Sequence, residues 1–283
     1  MNTLTERINE HRHPAWMLRH PRTVRLIWVW FWVLYQRSWV SRRVFWQHLR
    51  ALPPGSTVTD AGCGEGLFLL PAVRRFPRLQ FLGLDVRRSN LELCRRFAAS
   101  YGRHNLRTHQ TDLNADPLPA RTDLILCVGV LHCLEHDAAT LQRFARALSP
   151  GGRLLLYSPV HRRRVLPGFE YLFQRFSNYE QHFAERIYST QELHHKLAAA
   201  GFLVERQHFT NGTLGILGYE LTTGAFLLFS GGKNWAIRTL GVVLFAGCLP
   251  VQIVLNVVDY LLPKRSGNGV LLEARRRLST QNP

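Results

Sequence analysis

Between residues 60 and 66 the chain reads Asp-Ala-Gly-Cys-Gly-Glu-Gly, straight after a short apolar run and straight before a stretch with helical spacing. Glycines at alternate positions allow a tight turn and let a ligand lie against bare main chain. A strand that runs through such a turn into a helix opens a βα repeat, and the rest of the chain supplies that repeat. Strands are expected over 57–60, 80–85, 106–111, 123–128, 153–158, 202–209 and 269–275, with helices over 67–75, 89–101, 137–148 and 190–200 between them. The pattern predicts an α/β fold with a mostly parallel sheet that binds its ligands at the carboxyl edge of the strands.

The spacing of the glycines differs from the G-x-G-x-x-G of dinucleotide folds, which seats a pyrophosphate on a helix N-terminus. Here the glycines alternate and an acid precedes them, which suits a ligand without phosphate. Nineteen residues after Gly66 the second strand ends in Gly83-Leu84-Asp85, where a carboxylate can accept both hydroxyls of a ribose. A third acid, Asp112, follows the third strand, placed to accept from an adenine amino group. Taken singly, Asp85 could be a helix N-terminal charge and Asp112 a turn residue.

As a set, Asp60 to Gly66, Asp85, Asp112 and Leu148-Ser149-Pro150-Gly151-Gly152 resemble the motif series of class I S-adenosylmethionine-dependent methyltransferases. The resemblance covers residues 50–210 and resumes at Gly269 to Arg275. Val130 to His136, and Tyr188 to Leu193 followed by Ala200-Gly201-Phe202, are similar to the branch that methylates quinones, sterols and other small molecules. The resemblance implies a Rossmann-like sheet of seven strands and S-adenosylmethionine as cofactor. It implies that Gly62, Gly64 and Gly66 pass under the methionine part, that Asp85 holds the ribose and Asp112 the adenine, and that Asp60 orients the loop or the amino group. The full cofactor-binding set expected is Asp60, Gly62, Cys63, Gly64, Gly66, Asp85, Val86, Asp112, Leu113 and Val128.

Methyl transfer from a sulfonium is an in-line displacement, so holding donor and acceptor in line and excluding water supplies much of the acceleration. The acceptor would approach the turn Cys127-Val128-Gly129-Val130-Leu131-His132. Enzymes that methylate amino groups of nucleic acids resemble one another in an Asn/Asp-Pro-Pro-aromatic turn at this place. The apolar turn here points instead to an apolar or aromatic acceptor or an oxygen nucleophile. His132 is the first candidate base, because imidazole titrates near neutral pH; the plainer alternative is a packing residue of the turn. Tyr179 and His182 are the next catalytic candidates, with His161 and Tyr188, all in a stretch that could equally be polar lid surface.

Thirty-six basic residues against 19 acidic ones give a net charge of +17, and the basic residues are almost all arginine. Such a charge points to an anionic partner, nucleic acid or a lipid surface, although part of the arginine excess can reflect codon composition. Residues 1–50 carry nine Arg, two Glu and six of the seven tryptophans. Trp28, Trp32, Tyr35, Trp39 and Trp46 fall on one helical stripe, which predicts an N-terminal amphipathic helix for a headgroup interface or, alternatively, a helix capping the sheet. Five cysteines without a CxxC pair, and no metal-like spacing with histidine, predict reduced thiols and neither a metal site nor a disulfide framework.

Nearly 60 residues separate the last two expected strands, and Thr239 to Val258 is an uncharged run of 20. Both bordering strands belong to one sheet, so a single crossing of a membrane is impossible. Two crossings would bury Glu220 in lipid and carry Lys233 and Arg238 across. The expectation is a hydrophobic helical insert forming a re-entrant or in-plane hairpin, with two crossings second; the plainer alternative is a soluble helical cap over the acceptor pocket. The organisation expected is therefore 1–50 as a basic membrane-association segment, 51–210 as the cofactor-binding core, 211–267 as the insert, and 268–283 as the last strand and tail. The function expected is O- or C-methylation of a hydrophobic acceptor of quinone, polyprenyl, polyene or fatty-acyl type, on the cytoplasmic face of an anionic membrane. An RNA methyltransferase and a non-catalytic membrane scaffold are the alternatives.

Overall fold

A computed structural model describes residues 21–277 apart from 120, 162, 177–186 and 233. Among them, β1 (Thr57–Ala61), β2 (Gln80–Asp85), β3 (Leu106–Gln110), β4 (Thr122–Val128), β5 (Leu148–Pro159), β6 (Phe202–Thr210) and β7 (Gly269–Arg276) form one sheet in the order β3-β2-β1-β4-β5-β7-β6. β7 is antiparallel to β5 and to β6, and the other pairs are parallel. β5 begins at Leu148, five residues before the expected start, because Leu148 pairs with Thr122 before a register shift carries the ladder to Arg153.

The helices are α1 (Pro21–Leu34), α2 (Gln36–Ala51), α3 (Leu69–Arg75), α4 (Arg88–Ser100), α5 (Asp137–Ala147), α6 (Phe169–Phe176), α7 (Thr190–Ala199), α8 (Thr213–Gly231) and α9 (Trp235–Leu261). They cover both faces of the sheet. Leu124 and Leu126 of β4 pack with Phe45, Leu69 and Phe97 from α2, α3 and α4, whereas Ile125 and Cys127 pack with Phe144 and Leu193 from α5 and α7. Neighbours on one strand thus enter opposite cores, which is why the central strands read as unbroken apolar runs. Val44, Phe45 and Leu49 are fully buried, so α2 is part of the same packing unit as β1 and β2.

The continuous N-terminal stripe is corrected. The helix breaks at Tyr35, whose backbone is extended, and the aromatic face turns inward. Trp28 is buried against Phe97, Trp46 meets Phe76 edge-on and Trp39 meets Tyr260. Interior packing and a headgroup face need the same spacing, and here packing takes the tryptophans. Among the described side chains of α1, the apolar Leu26, Val29, Trp30 and Val33 are left exposed.

The insert is the hairpin α8–α9, which leaves the sheet at the carboxyl end of β6 and returns at the start of β7. Both helices are long and apolar enough to cross a membrane by length and composition. One face of α9 is nevertheless polar. Gln252, Asn256 and Asp259 are buried at the break between α1 and α2, where Gln252 and Asn256 donate to the Leu34 carbonyl at 3.2 and 2.8 Å. Gln36 donates to Asp259 at 2.9 Å and accepts from the Asn211 N–H at 2.9 Å, and Gly212 donates to the same Asp259 oxygen at 3.0 Å. The carbonyl freed by the helix break is satisfied by the insert, as a buried backbone group must be. Glu220 of α8 is fully buried in protein, accepting the backbone N–H of Val165 at 3.0 Å and of Leu166 at 2.7 Å.

Candidate active site

The turn after β1 is held by Gly62 and Cys63, whose N–H groups donate to the Leu84 carbonyl at 2.8 and 2.9 Å. Gly62 has a φ of +80°, and a Cβ there would lie 2.4 Å from a methyl of Val130, so only glycine fits between the turn and the end of β4. Space over Gly64 is open. Its N–H donates to Asp85 at 2.9 Å, and Asp85 also accepts from the Arg87 N–H at 2.8 Å and from Asn90 at 3.1 Å. An ionised carboxylate offers about four acceptor sites, so Asp85 keeps one for a ligand hydroxyl and reaches a second only by sharing.

Asp60 lies deeper, 3% exposed, and one of its carboxylate oxygens, Oδ2, is buried without a hydrogen-bond partner. Burial first, then the charge of Asp85, raises its pKa to about 8. A buried acid kept protonated beside an open glycine turn is suited to a cation, whose arrival would favour the carboxylate. Asp112 has one oxygen on the Asn114 N–H at 2.9 Å, closing its own turn. Its other oxygen has no partner among the described residues.

At the end of β4, Leu131–Cys133 form a single 3₁₀ turn that carries His132. Burial and the nearby Arg37 guanidinium lower the His132 pKa to about 4, so the imidazole is neutral at pH 7. Arg37, in the first turn of α2, lies across the faces of Phe31 and Tyr35 at 5.5 and 5.3 Å. A side-chain carbon at Gly129 would sit 3.8 Å from Arg37 Nη1.

Residues 59–154 match the family described as "Methyltransferase domain". The fold agrees, since a putative sarcosine dimethylglycine methyltransferase from Galdieria sulphuraria superposes with a TM-score of 0.58 over 86% of this chain and 85% of that one, at 13% identity. The chain carries a class I S-adenosylmethionine-dependent methyltransferase domain. Its cofactor is S-adenosylmethionine. Similar curated proteins include a trans-aconitate 2-methyltransferase of Methylobacterium nodulans, 36% identical over 102 residues, and a ubiquinone biosynthesis O-methyltransferase of Idiomarina loihiensis, 30% identical over 109. A tRNA (carboxymethyluridine(34)-5-O)-methyltransferase of Macaca fascicularis is 31% identical over 125 residues. These matches cover 36%, 38% and 41% of this chain, in the order trans-aconitate, ubiquinone, tRNA. The chain spans 38%, 44% and 17% of those relatives, in the same order, so the likeness is one of domain.

Within the methyltransferase domain, Asp60, the glycine turn, Asp85 and the Val128–His132 turn come together, and Val86 and Asp112 close the adjoining edge. The side chains of Cys63 and Leu113 do not face the ligand side. Cys63 is buried with Cys94 beneath the Gly64 carbonyl, and Leu113 lies in the core with its carbonyl taken by Thr140. Only their main chain can reach a ligand. Tyr188 is buried, with its hydroxyl donating to Asp137 at 2.6 Å, and so braces the 3₁₀ turn. His161 is exposed on the loop after β5. Tyr179 and His182 lie outside the described residues. Sequence reading missed the place of Arg37 at this edge. Its one local sign is an arginine among aromatic residues, which carries no address without the helix break.

Proposed function

We propose that this chain transfers a methyl group from S-adenosylmethionine to the oxygen or carbon of a hydrophobic small-molecule or lipid-like acceptor at a membrane surface. The observation that carries the reading is apolar surface at the carboxyl edge. Trp30 of α1 stacks on Phe245 of α9 at 5.8 Å, and Phe226 of α8 meets the same ring at 6.1 Å. These rings join the exposed residues of α1 to Leu240, Val243, Val254 and Val258 of α9. Monomers seldom leave so large an apolar face in water, and its neighbours include Arg25 and Arg238. The buried polar seam of α9 supports a hairpin lying along one leaflet with its valine face in lipid, since two crossings would need Glu220 and Asp259 at bilayer depth.

Asp60, the main chain of Gly62 to Gly66, Asp85 and Asp112 would hold the cofactor, which supplies a methyl group made electrophilic by its sulfonium. Asp60 would ionise toward its positive charges, Asp85 would accept a ribose hydroxyl, and Asp112 would take the adenine amino group. The neutral His132 imidazole would accept a proton from an acceptor that arrives protonated. A cleft of about 190 Å³ lined by Leu166, Phe169, Leu221, Ala225 and Leu244, close to the hairpin and away from the glycine turn, suits an apolar tail.

The likeness to a tRNA methyltransferase domain and the charge favour RNA as a second reading. The tryptophans that could stack on bases are mostly engaged inside the protein, which favours the lipid-like acceptor. A scaffold would have no use for a buried unpartnered carboxylate at the turn. Incubation with methyl-labelled cofactor and vesicles made from a total lipid extract tests the proposal. Label in a solvent-extractable product supports it, and no transfer to any lipid component refutes it.

A further inference from the structure

Resting on that reading, we propose that Arg37 is the recognition residue for an acidic oxygen on the acceptor, so that the methyl group goes to an oxyanion. Arg37 reaches the site through a chain of close approaches: Gly62 packs against Val130, Val130 follows Gly129, and Gly129 faces the guanidinium. It is half-buried, and among the described residues no carboxylate pairs with it. Its guanidinium carbon lies over the rings of Phe31 and Tyr35 at 5.5 and 5.3 Å, and its N–H groups make no hydrogen bond among the described residues. A guanidinium with unused N–H donors takes a planar oxyanion such as a carboxylate, phenolate or enolate. The first turn of α2 adds partial positive charge at the same place.

The surroundings agree. Tyr157 and His132 both feel the Arg37 charge, and neither carries a negative charge at pH 7 to neutralise it. The positive charge at this edge is therefore left for the acceptor. The oxygen lone pair forms the new O–C bond, the electron pair of the S–C bond leaves with the sulfur, and no proton has to move. The charges of the oxyanion and the sulfonium cancel in the products.

The test compares 2-hydroxy-1,4-naphthoquinone, which is acidic, with its uncharged 2-methoxy ether, binding each to the full chain saturated with S-adenosylhomocysteine. The wild type is expected to favour the acid by tenfold or more, R37Q to bind the two equally, and R37K to keep part of the preference. Equal S-adenosylhomocysteine affinity in all three proteins excludes a general loss of structure. Equal binding of acid and ether by the wild type, or an R37Q variant that keeps the full preference, overturns the proposal. Methyl transfer to a lipid extract is measured separately. If R37Q keeps the wild-type rate there, the Arg37 assignment fails while the methyltransferase reading stands; if the wild type transfers nothing, it is that reading which fails.

Discussion

Gly64 donates its backbone N–H to the Asp85 carboxylate at 2.9 Å, which makes the glycine turn and the acid at the end of β2 one hydrogen-bonded unit. An Asp85→Ala chain leaves the Gly64 and Arg87 N–H groups without their acceptor. The expected cost is about 1–3 kcal/mol of stability for each group that stays dry, with cofactor affinity falling by more than tenfold. Denaturant melts and calorimetric binding of S-adenosylhomocysteine measure both.

Asp60 predicts a pH effect of definite sign. Its pKa of about 8 lies above the ordinary carboxylate value, so between about pH 4 and pH 8 the folded chain holds a proton that the unfolded chain has lost. The stability due to Asp60 is present at low pH and declines as pH rises through that window, by about 1.4 kcal/mol per unit at most. Asp60→Asn removes the slope, and its advantage over the wild type grows toward pH 8. Affinity for S-adenosylmethionine moves the other way in the wild type, rising up to tenfold per unit from pH 6 to 8, and is flat in Asp60→Asn.

His132 reports on Arg37. With a pKa near 4, below the usual 6.5, the folded chain resists protonating it, so its contribution to stability is present above pH 6.5 and is lost as pH falls toward 4. Removing the neighbouring positive charge in Arg37→Gln should raise the imidazole pKa, while burial keeps it below 6.5. An NMR titration of the ring protons decides this; an unchanged pKa would show that the two groups are not close.

Glu220 anchors the loop after β5 to the insert. Glu220→Ala strands two half-buried backbone donors and should cost about 1–3 kcal/mol for each that stays dry, whereas Glu220→Gln keeps an acceptor and loses less. Chemical denaturation midpoints compare the two.

Val243 and Val254 are 63% and 61% exposed on α9. Val243→Asp and Val254→Asp together should abolish flotation with anionic vesicles while stability changes by only about 0.5 kcal/mol per site. Gln252→Ala, on the buried seam, should do the reverse.

The sheet and its turn were legible because few sequences other than a βα junction place glycines at 62, 64 and 66 between an acid and a helix. The acids at 85 and 112 followed from strand ends. The aromatic stripe was misleading, since packing on Phe97, Phe76 and Tyr260 asks for the same spacing as a lipid face. The break at Tyr35 has no Gly or Pro to announce it; the Leu34 carbonyl it frees is satisfied by Gln252 and Asn256, more than 200 residues away. Those two residues stood on one face of an uncharged run, at a spacing of four, and polarity without charge hid the seam. Arg37 is brought beside Gly129 only by the tertiary fold.

The most direct measurement offers methyl-labelled S-adenosylmethionine to the full chain with total lipid vesicles and total RNA in one vessel, then separates solvent-soluble from aqueous polymer label. The proposed function predicts that the label enters a solvent-soluble small molecule and that Asp60→Asn and Asp85→Ala suppress it. Label confined to RNA, or transfer unaffected by those two substitutions, would contradict it.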